Sequence, residues 1–211
     1  KGSGKDTLGE HLGAYINTEG KREAFTIGLA DPLKLYCAQE YGLDLATCHA
    51  DDHTKNTTLS PVAWNTMPKE IQEKFENTKA DTTNMTYREV LQIVGTELGR
   101  DKYGENVWIN KFVDSVANIK SDKPITIIVT DVRYDNEAQF IMDNSGHVVR
   151  IISDYKAVDM HVSEWGVSRY NYEVEGKGKA SLKASKQDIE TLYGYITLHE
   201  RVRDFVNEEE K

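Results

Sequence analysis

The sequence predicts an α/β protein built on a doubly wound parallel sheet, and three observations carry that prediction. Strand-like and helix-like segments alternate along the chain. Its first seven residues, Lys1-Gly2-Ser3-Gly4-Lys5-Asp6-Thr7, read as the end of a phosphate-binding loop that opens a helix. Ile125-Thr126-Ile127-Ile128-Val129 is a β-branched run of the kind that forms parallel strands buried on both faces.

In the opening loop, glycines let successive backbone N–H groups point at an anion, Lys5 reaches the outer phosphates, and the following helix aims its positive end at them. Leu8, Leu12 and Ile16 recur at helical spacing, so the loop does run into a helix. Two departures from G-x-x-x-x-G-K-[ST] stand out: the first glycine would precede Lys1, and Asp6 follows the lysine. With no initiating Met and no strand feeding the loop, an N-terminal piece that includes the central strand is expected to precede Lys1.

Ala24 to Leu29 reads as a short buried strand. Asp31 suits a helix N-cap and Pro32 the first helical position, starting a helix that carries Leu33, Tyr36, Cys37 and Tyr41. Two readings of Asp31 stand: a cap only, or a ligand-facing residue at the C-terminal edge of a parallel strand. Residues 44–85 are polar and rich in Thr, Asn and Asp; a short helix is expected from Pro68 to Phe75 and loop elsewhere. Such a stretch is a lid, a binding lobe or a disordered insertion. Asp51-Asp52-His53 within it reads as solvated loop ahead of a metal site.

Thr86-Tyr87-Arg88-Glu89 is a capping box. The helix it starts buries Val90, Leu91, Val94 and Leu98, and offers Arg88, Gln92 and Thr96 at successive turns, with Arg100 drifting further round. Gly95 and Gly99 weaken a helix, which predicts close approach of another surface. Val107, Trp108, Phe112, Val113 and Val116 mark the next amphipathic helix. The strand Ile125–Val129 ends at Thr130-Asp131-Val132-Arg133; Asp131 either caps a strand end or serves Mg²⁺ directly or through water. A helix over Asn136–Asn144 closing near Gly146, a strand over His147–Ile152, an edge strand over Tyr170–Val174 and a terminal helix from Ser185 to about Phe205 complete the chain.

Composition bounds the function. A chain of 211 residues makes one domain, with room for an inserted lobe. A net charge of −9 argues against a nucleic-acid polymer as partner but not against small phosphorylated ligands. Cys37 and Cys48 sit at no metal-ligand spacing, which fits a reducing cytoplasm, and no apolar run is long enough for a membrane span.

Taken in order, Gly4-Lys5-Asp6-Thr7, Ala30-Asp31-Pro32-Leu33-Lys34, Arg88-Glu89-Val90-Leu91-Gln92 with Gly95-Thr96-Glu97, Asp131-Val132-Arg133 with Asn136-Glu137, and His161-x-Ser163-Glu164 resemble the bacteriophage deoxynucleoside monophosphate kinases. Lys-Asp-Thr after the glycines is part of that family's pattern, and Lys55-Asn56 is a weaker match. The resemblance implies a P-loop nucleotide-kinase fold, ATP as co-substrate, Mg²⁺, a dNMP acceptor and, in a phage, the host cytoplasm; the family suggests a homodimer. Within a single domain over 1–211, it implies an acceptor lobe over 42–104 and a lid over 153–169.

The implied roles follow from that. Gly2, Ser3, Gly4, Lys5, Asp6 and Thr7 hold the donor phosphates, and Asp6 and Asp131 serve the metal. Asp31 orients the attacking phosphate. Lys34, Arg88 and Arg133 are candidates for the acceptor phosphate and the transferring group; because the lid offers only Lys156 and, later, Arg169, either Arg133 and Arg150 supply its charge or the lid is electrostatically poor. Gln92 and Thr96 read the base edge, and Tyr36, Tyr87 and Trp108 are candidate wedges against a ribose 2′-hydroxyl. His161, Ser163 and Glu164 are either a hydrogen-bond cluster fixing the lid or ligand contacts. Two alternatives remain: a related small-molecule kinase, such as one acting on dephospho-coenzyme A, and a regulatory module that has lost catalysis.

Overall fold

The computed structural model describes residues 5–75, 83–153, 167–176, 189–190 and 192–194. The chain divides into two compact units, one of Lys1–Gly28 with Ile119–Lys211 and one of Leu29–Asn118.

In the first unit, α1 (Lys5–Glu19) buries Leu8, Gly9, Gly13 and Ile16. Strands β1 (Glu23–Thr26) and β4 (Ile125–Ile128) pair in parallel, Glu23 opposite Ile125 and Thr26 opposite Ile128. The Arg22 guanidinium pins the start of this pair, donating to Thr126 Oγ1 at 2.7 Å and the Ile125 carbonyl at 2.8 Å. The β1 strand is shorter than its apolar run, although Ile27 N–H still bonds the Ile128 carbonyl at 3.0 Å. The expectation of burial on both faces fails for Ile125, Thr126 and Ile127, which are half-buried: among the described residues β4 has one neighbour strand.

Helix α9 (Asp135–Asp143) follows, closed by Ser145 in the left-handed region and by Gly146 N–H on the Ile141 carbonyl at 2.8 Å. Strands β5 (Val149–Ser153) and β6 (Tyr172–Gly176) form a second parallel pair. Parallel pairing is thus present, in two separate pairs among the described residues. Of the expected terminal helix only 189–190 and 192–194 are among the described residues, and there Ile189 and Leu192 are buried with Leu8.

The second unit departs most from expectation. Residues 44–75 are folded, not loop: α3 (Leu45–His49), α4 (Asp52–Thr57), β2 (Leu59–Ala63), a 3₁₀ turn over Trp64–Thr66 and α5 (Lys69–Lys74). The polar residues that suggested loop are caps. Asp44 accepts from the N–H and hydroxyl of Thr47, each at 2.7 Å, and Asp51 from those of Thr54 at 2.9 and 3.0 Å, one Asp-x-x-Thr pattern used twice. Strand β2 alternates, sending Ser60 and Val62 inward, and pairs antiparallel with β3 (Asn84–Thr86). Cys37, Cys48, Val62, Trp64, Met67, Ile71, Met85, Val90 and Val94 form the core.

Helix α2 (Asp31–Tyr41) starts one residue earlier than the capping argument requires. Ala30 is the N-cap, with no side-chain cap bond, and Asp31 is the first helical residue with its carboxylate on Lys34. Helix α6 (Tyr87–Gly95) has the expected capping box at Thr86 and Glu89. It continues as a π turn over Thr96–Arg100, then α7 (Asp101–Tyr103) and α8 (Val107–Ala117). Close approach explains the two glycines: a Cβ at Gly95 would lie 2.9 Å from Leu33 Cδ2, and one at Gly99 would lie 2.8 Å from Trp108 Cζ2. The Trp108 indole N–H donates to the Gly95 carbonyl at 2.9 Å, bracing the π turn. In α8, Trp108, Ile109 and Phe112 are buried, whereas Val113 is exposed.

Burial pushes the Cys37 thiol up to about 12, with nearby Cys48 adding to the shift, and burial raises Cys48 as well. Both are therefore protonated and inert in the fold. Neither should react with a disulfide reagent at pH 8 until denaturant is added, as thiol-release kinetics would show. Because the fold favours the neutral thiol, Cys37's contribution to stability is complete below its ordinary 9.0 and declines as pH rises towards about 12. No described helix is long and apolar enough to cross a membrane.

Candidate functional site

The site residues of the first unit gather where α1 begins and β4 ends. Lys5 Nζ lies 2.8 Å from Asp6 Oδ2, and Asp6 also takes a hydrogen bond from Thr130. Partial desolvation opposes ionisation of Asp6, but the bond and charge of Lys5, the Thr130 bond and the charge of Arg133 outweigh it and hold the carboxyl below its ordinary value. Lys5, Asp6, Thr130 and Arg133 are thus one electrostatic cluster, with Asp131 in the same strand-end segment. The segment is fixed from behind by Glu137, which is buried and accepts the N–H groups of Arg133 at 2.8 Å and Tyr134 at 3.2 Å.

Gly9 lets α1 lie this close to the strand end, since a Cβ there would meet Thr130 Cγ2 at 2.5 Å. Sequence reasoning missed Gly9 and quoted Glu137 only as a motif residue without a role; Glu at the third position of α9 was the available signal for that role. Gly9→Ala should cost about 1–3 kcal/mol in overpacking, read as a lower denaturation midpoint with an unchanged slope.

Gly2, Ser3 and Gly4 lie outside the described residues, as do Lys156, His161, Ser163, Glu164 and most of the 153–169 segment. Thr7 sits half-buried in the first turn of α1. Arg150 is exposed, its guanidinium 5.2 Å from the Tyr170 ring centre. Past the undescribed stretch, Ser168 donates to Asp135 from its N–H at 2.7 Å and its hydroxyl at 2.8 Å, and Arg169 bonds Gln139.

The second unit holds further candidates on helices α2 and α6 and the π turn, with partners on α3 and α4. On α2, Lys34 Nζ donates to Asp31 Oδ1 at 2.7 Å and lies 3.4 Å from His49 Nδ1, at the end of α3. On α6, Arg88 donates through Nε to Asn56 at 3.3 Å and through Nη2 to Asp52, both on α4. Helix α6 packs on both α2 and α4. Gln92, one turn beyond Arg88, and Thr96, at the π turn, are half-buried. His49, Asp52 and Asn56 went unrecognised as partners of these cations, since a stretch read as loop offers no register.

Of the candidate sugar wedges, Tyr87 and Trp108 are buried and engaged, Tyr87 Oη accepting Asp44 N–H at 3.1 Å and Trp108 bonding Gly95. Tyr36 is exposed, its ring 6.1 Å from that of Trp108.

Asp6 and Asp131 offer hard carboxylate oxygens, the donor type that Mg²⁺ accepts one or two of while keeping waters and phosphate oxygens. Among the described residues no three His, Cys, Asp or Glu side chains converge as a metal cage. The donor chemistry of the pair therefore fits a cation that arrives with phosphates.

Two curated proteins are similar to this chain. One, from Escherichia phage T5 and named a deoxynucleoside-5'-monophosphate kinase, is 38% identical over 58 residues, 28% of this chain and 22% of that protein. The other, from Acanthamoeba polyphaga mimivirus and provisionally named a deoxynucleotide monophosphate kinase, is 28% identical over 159 residues, 72% of this chain and 69% of that protein. The family described as deoxynucleotide monophosphate kinase matches residues 35–174, a span that holds Arg88, Gln92, Thr96, Asp131, Arg133 and Arg150. On that match, the chain belongs to the deoxynucleotide monophosphate kinase family.

Proposed function

We propose that the protein transfers the γ-phosphoryl group of ATP to a deoxynucleoside monophosphate on a doubly wound P-loop fold, giving the diphosphate and ADP. The observation that carries this reading is the pairing of two part-buried cations, Lys34 and Arg88, on helices that pack together, in a chain of this family. Family membership also favours a deoxynucleotide over dephospho-coenzyme A as acceptor.

In the reaction an oxygen of the acceptor phosphate attacks the γ-phosphorus, the bond from that phosphorus to the β–γ bridging oxygen breaks, and ADP leaves with the electron pair. The acceptor phosphate is anionic at neutral pH, so orientation matters more than proton removal. Lys5 and the backbone N–H groups of Gly2, Ser3, Gly4, Asp6 and Thr7 hold the donor phosphates. Asp6 and Asp131 would hold Mg²⁺, which would supply neutralisation of the donor's charge. Lys34 and Arg88 grip the acceptor phosphate, and Asp31 sets the direction of Lys34 through their 2.7 Å bond. Arg133 faces the transferring group, with Arg150 adding positive charge from β5. Gln92 presents both a donor and an acceptor to a base edge, and Thr96 adds a hydroxyl. Residues 42–104 make the acceptor lobe and 153–169 the lid.

The test is a coupled ADP-release assay with ATP, Mg²⁺ and each of the four dNMPs. Turnover on at least one, ranked by base and altered in rank by Gln92→Ala, is the expected result. ATP binding without turnover on any of the four would refute the reading.

A further inference from the structure

We propose that the two short helices α3 and α4 form a brace for the acceptor-phosphate cations, with His49 and Asp52 as positioning residues that hold Lys34 and Arg88 ready for the ligand. The proposal rests on the kinase reading for what those cations bind, and on geometry alone for what holds them.

Lysine and arginine side chains each carry about 2 kcal/mol of rotamer entropy. A cation fixed before the ligand arrives loses less on binding and places its charge more accurately. Both cations are fixed here. The Lys34 side chain is 19% exposed, with Asp31 Oδ1 at 2.7 Å and His49 Nδ1 at 3.4 Å. An ammonium has donors only, so a hydrogen bond to Nδ1 requires the His49 tautomer that carries its proton on Nε2; the same Nδ1 lies 3.9 Å from Asp31 Oδ1. The Arg88 side chain is 16% exposed, and Asp52 and Asn56 take its Nη2 and Nε hydrogens. A guanidinium carries five N–H groups, so others remain for phosphate oxygens.

One segment supplies His49 to Lys34, which Asp31 also holds from its own helix, and Asp52 and Asn56 to Arg88. His49 ends α3 and Asp52 begins α4, three residues on, so their Cα atoms are at most about 11 Å apart. The turn between them is itself locked: Asp51 caps α4, and Lys55 Nζ donates to the Ala50 carbonyl at 2.5 Å. A shift of this turn therefore moves both partners together, and with them the spacing of the two cations. The Asp-x-x-Thr caps at Asp44 and Asp51 thus act on ligand geometry as well as on helix formation.

The test is a double-variant cycle on the whole protein. Asp52→Ala should raise the dNMP KM about tenfold and leave the ATP KM unchanged. Asp52→Asn, which keeps an acceptor oxygen, should recover most of that loss. In an Arg88→Ala background, Asp52→Ala should add nothing, because Asp52 acts through Arg88. His49→Ala should behave likewise against Lys34→Ala. Independently of turnover, the Arg88 Nε–H resonance, assigned by its absence in Arg88→Lys, should be resolved in the parent protein and move to the solvent-averaged position in Asp52→Ala. An unmoved resonance, an unchanged KM, or an equal KM rise in both backgrounds would overturn the brace. If the parent protein phosphorylates no dNMP, the kinase reading falls, while the resonance still decides whether Asp52 holds Arg88.

Discussion

Lys5→Met is expected to lower kcat by about three orders of magnitude, the scale of removing a charged group aimed at transition-state oxygens. The Lys5 ammonium lies 2.8 Å from Asp6 Oδ2, an anionic oxygen of the kind a donor phosphate offers. On the proposed role, the ammonium would exchange that carboxylate for phosphate oxygens when nucleotide binds, and its charge would be worth most when negative charge builds on them. Methionine keeps most of the length and the packing of the stem but supplies neither charge nor donor. Little change in fold is expected, since Lys5 is 38% exposed and a surface ion pair with its neighbour contributes little stability. Stopped-time ADP release at saturating dNMP measures the drop. With Lys5 assigned to the donor, the dNMP KM should stay within about threefold of the parent. Activity retained to within tenfold would place the donor phosphates elsewhere.

How much of this could be read in the sequence depended on the range of the signals. The first turn of α1 and the Thr86–Glu89 capping box were legible because each is decided within a few residues; close approach at Gly95 and Gly99 was legible from the glycines themselves, but not its partners Leu33 and Trp108. The parallel pairing of β1 with β4 and of β5 with β6 was legible in kind, from alternation and from the β-branched run at Ile125, but not the grouping into separate pairs or the antiparallel β2–β3 pair, which depend on contacts distant in the chain. Residues 44–75 were misread for a specific reason. Asp44, Thr47, Asp51 and Thr54 have low helix propensity and look like loop one at a time, yet as Asp-x-x-Thr pairs they satisfy the exposed N–H groups of two helix starts. Nor does propensity say that Ser60 would be buried in β2, or that Asp31 would spend its carboxylate on Lys34 instead of a cap. Arg88 was named from its position on a polar face; its partners Asp52 and Asn56 lie more than thirty residues earlier, beyond any periodic signal.

Arg88→Ala should lower kcat/KM for the dNMP by about 10²–10³, the cost of losing two charge-assisted hydrogen bonds to a phosphate. The loss should fall mainly on the dNMP KM, with the ATP KM unchanged, if Arg88 belongs to the proposed acceptor lobe. The fold should tolerate the change. Removing the guanidinium strands no buried charge: Asp52 is 42% exposed and stays hydrated, and Asn56 is exposed. A purely structural Arg88 would behave the opposite way, lowering the melting temperature and leaving the KM of the surviving folded fraction intact. Arg88→Lys separates charge from shape. An ammonium keeps the charge but cannot engage Asp52, Asn56 and a phosphate at once with a planar fork, so it should recover less than a tenth of the lost efficiency. Full recovery by lysine would mean that Arg88 acts as a point charge, and the orientation imposed by α4 would then carry no weight in binding.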